Sequence, residues 1–125
     1  MKEQVATIKA PQAIGPYSQG VKASGDMLFV SGQLPINAVN GEMPNDVLEQ
    51  TKQSLTNLKA IVEESGASME NIVKTTIFLA DMNDFTVVNE VYGSFFEEPF
   101  PSRSTIEVAR LPKDAKVEIE AIVVK

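Results

Sequence analysis

The last ten residues, Lys116-Val-Glu-Ile-Glu-Ala-Ile-Val-Val-Lys125, constrain the fold more than any other segment. Successive side chains of a strand point to opposite faces, so Val117, Ile119, Ala121 and Val123 share one face and Lys116, Glu118 and Glu120 the other. Beyond Glu120 the second face turns apolar as well, with Ile122 and Val124. Such a strand needs a core on one side and a cover on the other. Two covers fit the second face: another subunit, or loops of the same chain.

Upstream the hydrophobic period changes from two to three and four. Asp46 can cap a helix with Glu49 as its capping-box partner; Leu48, Thr51, Leu55, Leu58 and Val62 recur on one face, and Gly66 stops it. Ile72 to Ala80 is β-branched and apolar on both faces, the pattern of a central strand. A second helix is predicted from Asp81 or Asn83 to about Phe96, with Phe85, Val88, Tyr92 and Phe95 as its stripe. Pro99 and Pro101 end it. Ser102 to Ala109 reads as a strand, joined through Leu111-Pro112-Lys113-Asp114 to the final strand, Ala115 to Val124. Near the start, Val5 to Ile8 alternates weakly as an edge strand, and Ser18 to Ala23 and Met27 to Val30 flank Ser24-Gly25-Asp26 as a hairpin. Gly32 to Asn45 reads as loop. The expected class is α+β: a two-layer sandwich with both helices on one face of a largely contiguous sheet.

At 125 residues the chain makes one domain, residues 1–125. It has no Cys, His or Trp, which removes thiol nucleophiles, histidine bases and zinc sites built from imidazole or thiolate. A net charge of −6 makes nucleic acid and anionic membrane poor partners. The opening MKEQVATIKAP has no apolar signal region, and no run approaches the roughly 20 residues of a membrane span, so a cytoplasmic location is expected.

Four segments, AIGPYSQG (13–20), SGQLPIN (31–37), ADMNDFTVVNEVY (80–92) and PSRSTIEVARLPKDAKVEIEA (101–121), resemble the Rid family of reactive enamine/imine deaminases. The match covers essentially the whole chain. The resemblance implies a chorismate-mutase-like α+β fold with a mixed sheet, a homotrimer packing its sheets into a central barrel, and active sites at subunit interfaces. The implied activity is hydrolysis of 2-imino or 2-enamino acids, such as 2-iminobutanoate and 2-iminopropanoate, to 2-oxo acids and ammonia. No metal or cofactor is implied. The imines come from pyridoxal-phosphate-dependent dehydratases acting on threonine and serine.

By the same resemblance Arg103 binds the substrate carboxylate, a task for which a planar guanidinium fork is suited and lysine is not. Read alone, it is an arginine paired with one of the 17 acids. Glu118 matches the water-activating glutamate; alone, it belongs to a solvated strand face shared with Glu120. Asn89 lies on the apolar stripe of the second helix, where an amide needs a partner, either a neighbouring loop or the substrate pocket. Tyr17 matches a tyrosine over the pocket, or is a packing aromatic. Ser31 and Gly32 end a strand at a possible close backbone approach, or serve a turn. Thr105 stands where bacterial relatives often carry cysteine; it shares a strand face with Arg103, and its backbone carbonyl is the expected contact. Ser54 and Tyr92 read as structural. The resemblance further places Arg103 and Glu118 of one chain against Tyr17 of the next.

Three functions compete. An imine deaminase uses both Arg103 and Glu118. A non-catalytic trimer that binds 2-oxo acids and regulates a partner protein has no use for a carboxylate beside an anion, so Glu118 favours the enzyme. A ribonuclease, the third, lacks histidine and a basic cluster.

Overall fold

The computed structural model describes residues 1–125. Its elements are β1 (Lys2–Val5), β2 (Gly20–Ala23), β3 (Met27–Gln33), α1 (Val47–Glu64), β4 (Ile72–Leu79), α2 (Phe85–Gly93), β5 (Ser102–Glu107) and β6 (Val117–Val124). Four strands form a mixed sheet in the order β3-β6-β4-β5, antiparallel except for the parallel β4–β5 pair that α2 connects. Both helices pack on one side of it, as expected for an α+β sandwich.

The sheet is not contiguous. β1 and β2 form a separate antiparallel ribbon, tied to the main sheet by a bridge between Ser18 and Ser102. The expected hairpin across Ser24-Gly25-Asp26 is therefore a corner between two sheets. Asp26 and Lys125 exchange backbone hydrogen bonds at 2.8 and 2.9 Å, which sends β3 along β6 rather than back along β2. Gly25 has φ +142°, and a Cβ there would lie 2.6 Å from the Lys125 carbonyl oxygen. The first strand is Lys2–Val5, not Val5 to Ile8, because the Gln19 side chain binds the backbone at Thr7, Ala10 and Pro11 and holds it as a loop.

Asp46 caps α1 by accepting from the Glu49 amide at 2.8 Å. The Glu49 carboxylate lies instead 3.8 Å from Lys52, so the reciprocal half of the box is missing. Leu48, on the expected stripe, is exposed; Thr51, Ser54, Leu55, Leu58 and Val62 form the buried face, with Gly66 following the last turn. That face meets Val117, Ile119, Ala121 and Val123 of β6, all buried. Each large aliphatic side chain so buried contributes about 1.5–3 kcal/mol. The second helix is shorter than its pattern: a 3₁₀ turn at Met82–Asp84 precedes α2, and Gly93 closes it. β5 and β6 are likewise trimmed to Ser102–Glu107 and Val117–Val124.

On the other face no loop of the chain covers β3. Phe29 is 66% and Met27 59% exposed, and Ile106 on β5 is exposed too. On β6 itself Val124 is buried within the chain and Ile122 half-buried, so the uncovered apolar residues of this face lie on the flanking strands.

Candidate active site

Cross-strand partners point to the same side of a sheet. Arg103 pairs with Thr75, which pairs with Ala121; Thr105 pairs with Ile77, which pairs with Ile119. Thr75, Ile77, Ile119 and Ala121 are buried under the helices, so Arg103 and Thr105 also project toward the helical side. There Arg103 donates from Nη1 to Asn89 Oδ1 at 2.8 Å. Its Cζ lies 5.0 Å from the Tyr92 ring centroid, 5.1 Å from Tyr17 and 5.8 Å from Phe85, within cation–π range of all three. No carboxylate pairs with it. Burial pulls the guanidinium below its ordinary pKa, offset in part by the Tyr92 and Tyr17 phenols, and it stays charged.

A cleft of about 290 Å³ opens over this group, lined by Ile14, Tyr17, Phe85, Asn89, Arg103 and Thr105. The loop carrying Tyr17 is clamped to α2: the backbone at Gly15 lies against the Asn89 amide, and Pro16 packs on Gly93. At its far end Ser18 donates its amide to the Pro101 carbonyl at 2.9 Å and its hydroxyl to that of Phe100. Asn89 borders both the loop and the cleft, and its one hydrogen bond is the one it accepts from Arg103. The Thr105 hydroxyl is buried without a hydrogen-bond partner.

Glu118 is elsewhere. It pairs with Phe78 on the face away from the helices, and Glu120 shares that face opposite Thr76. Its carboxylate lies over Gly32, where a bulge interrupts the β3–β6 register between Val30 and Gln33. A Cβ on Gly32 would fall inside that carboxylate, so the glycine is needed for close approach rather than for a turn. Ser31 is exposed beside it, and β3 runs on to Gln33 instead of ending at Val30.

The expected residues therefore divide into two groups. Arg103, Tyr17, Asn89 and Thr105 converge on one cleft of a single chain; Glu118, Gly32 and Ser31 gather on the opposite face. This corrects the expectation that Tyr17 of another chain meets Arg103. Phe85, Tyr92 and Ile14 line or build the cleft and were read as core, structure or loop. A signal was present for two of them: Phe85, Asn89 and Tyr92 are spaced by four and three on one helical face. No three His, Cys, Asp or Glu side chains converge as metal ligands, and no helix is long and apolar enough to cross a membrane.

A family model described as endoribonuclease L-PSP matches residues 7–125. The chain is 56% identical to the 2-iminobutanoate/2-iminopropanoate deaminase of Escherichia coli strain K12, with 100% of this chain and 99% of the relative covered. The crystal structure of the YjgF gene product from E. coli is similar at TM-score 0.78 and 56% identity, covering 98% of each chain. That of E. coli TdcF with bound serine is similar at TM-score 0.78 and 52% identity, again over 98% of each chain.

Proposed function

The chain belongs to the endoribonuclease L-PSP family, as a member of its Rid group, and from that premise we propose that it is a 2-iminobutanoate/2-iminopropanoate deaminase, acting in the cytoplasm on imines released by dehydratases. The observation that carries the reading beyond family membership is Arg103: a half-buried guanidinium without a carboxylate partner, facing a cleft of about 290 Å³. One of its donors is spent on Asn89. The others can take a small planar carboxylate bidentately, with the imine carbon placed above Thr105.

Hydrolysis then needs a water held beside the imine carbon and a group that moves protons. Glu118 supplies it. As water attacks C=N, the carboxylate takes one water proton and passes it to the nitrogen, which becomes an amine. The resulting carbinolamine collapses as its hydroxyl proton is passed through Glu118 to the amine and the C–N bond breaks, releasing ammonia and the 2-oxo acid. General acid–base assistance of this kind contributes about 10²–10⁴-fold. Because Arg103 and Glu118 project from opposite faces of one sheet, the complete site takes its cleft from one copy and its glutamate from another. The exposed apolar face around Phe29 and Met27 fits the contact that this requires, and a closed homotrimer is the assembly we infer.

A ribonuclease reading fits poorly, given the −6 charge and the lack of histidine. A coupled assay tests the deaminase. A threonine dehydratase generates the imine, semicarbazide traps what remains, and 2-oxobutanoate release is followed with and without this protein. Catalytic amounts should accelerate release; a rate unchanged from the spontaneous one leaves only a carboxylate-binding trimer.

A further inference from the structure

Of the three aromatic faces around Arg103, only that of Tyr92 belongs to a fully buried side chain. Its hydroxyl meets Thr75 Oγ1 at 2.8 Å, and Thr75 is itself buried. Thr75 is also the residue directly opposite Arg103 in the β4–β5 ladder. Phe96 packs against the other part of the ring at a centroid distance of 4.5 Å. One ring is thereby fixed to the same strand pair from which Arg103 projects. Asn89 holds a single nitrogen of the guanidinium, and one such bond does not by itself set the plane of the fork.

We propose that Tyr92 and Thr75 are positioning residues for carboxylate recognition: their hydroxyl pair fixes the ring face, and that face fixes the plane of the Arg103 fork. The proposal rests on Arg103 as the carboxylate anchor. Two-bond recognition depends on coplanarity of fork and carboxylate, so a tilted fork binds as a point charge. Tyr17 and Phe85 are both partly exposed, and Phe85 has no hydroxyl to hold it, whereas the Tyr92 hydroxyl is bonded to the strand beneath Arg103.

The test compares Tyr92→Phe, which keeps the ring and removes its tether, with Thr75→Val and Thr75→Ser. The readouts are the dissociation constant of 2-oxobutanoate, kcat and KM for the imine, and the melting temperature. Tyr92→Phe and Thr75→Val should each weaken 2-oxobutanoate binding and raise KM about five- to tenfold, with kcat little changed. Thr75→Ser, which keeps the hydroxyl, should bring KM back toward the wild-type value. The uncharged 2-oxobutanamide should bind all of these proteins alike. A lowered melting temperature with unchanged KM and affinity would overturn the proposal, as would Thr75→Ser behaving like Thr75→Val. If Tyr92→Phe does not fold, the two Thr75 variants decide the matter. Arg103→Lys, measured alongside, separates the two readings. Unchanged 2-oxobutanoate binding in that variant removes the anchor itself. Weakened binding there, with none in Tyr92→Phe or Thr75→Val, removes only the role of the hydroxyl pair.

Discussion

Arg103 and Glu118 project from opposite faces of one four-stranded sheet, Arg103 in a row with buried Thr75 and Ala121, Glu118 in a row with Phe78 on the far side. Tyr17 sits with Arg103 in the same chain. Mixing inactive Arg103→Ala chains with inactive Glu118→Ala chains should therefore restore activity. With random exchange, about one quarter of the sites would combine an intact cleft with an intact glutamate. Mixing Arg103→Ala with Tyr17→Ala chains should restore nothing, because both lesions fall in one cleft. Activity in the second mixture and none in the first would reverse the assignment of halves.

Gly32→Ala should act as a lesion of Glu118. The new methyl group occupies the position of the carboxylate and displaces it, while the Arg103 cleft is untouched. Turnover should fall on the order of 10²-fold, as for loss of a general base, with 2-oxobutanoate affinity retained. Near-normal turnover in a folded variant would mean that Glu118 does not need its place over Gly32.

Thr105→Ala and Thr105→Cys should both keep turnover within roughly tenfold, an allowance of about 1.4 kcal/mol in barrier. The hydroxyl is buried without a partner, so its removal breaks no hydrogen bond and relieves a desolvated group. A loss of several orders of magnitude in a folded Thr105→Ala protein would give the hydroxyl a chemical role.

Alkaline unfolding should report the buried phenol. Burial, more than any other influence, pushes Tyr92 up to about 12. In the unfolded chain a tyrosine loses its proton near pH 10, so above that pH the unfolded state binds fewer protons than the folded one. Its contribution is thus fully present below about pH 10 and is lost as pH rises toward about 12, in total roughly 2–3 kcal/mol. Chemical denaturation from pH 9 upward should show this decline in the wild type and a shallower one in Tyr92→Phe. Equal slopes would contradict the burial-driven shift.

Local patterns made most of the fold legible. The α1 face, the β6 alternation and the Asp46 cap follow from periodicity and capping, because each depends on residues close in sequence. The Gly25 corner did not, since its cause is Lys125, a hundred positions away along the chain. The site divides in the same manner. The surrounding motif singles out Arg103 and Glu118 as candidates, but their separation onto two faces is a matter of strand register, which no single strand's pattern contains. Tyr92 reads as structural and is indeed a buried core residue, but an apolar helical stripe gives no sign that Arg103 lies over its ring. Gly32 was read as a possible close approach, and its partner is Glu118, supplied by the far end of the chain.

A guanidinium compensated by aromatic faces and one amide holds no internal anion that an incoming ligand must expel. As the proposed carboxylate anchor it would meet substrate and product on equal terms, because the 2-imino acid and the 2-oxo acid carry the same carboxylate. The anchor is thus blind to the progress of the reaction, and departure of the 2-oxo acid follows its concentration outside the cleft. Product inhibition follows from this proposed recognition: wherever the 2-oxo acid accumulates, turnover of the imine slows with it, and downstream consumption of the keto acid relieves the block.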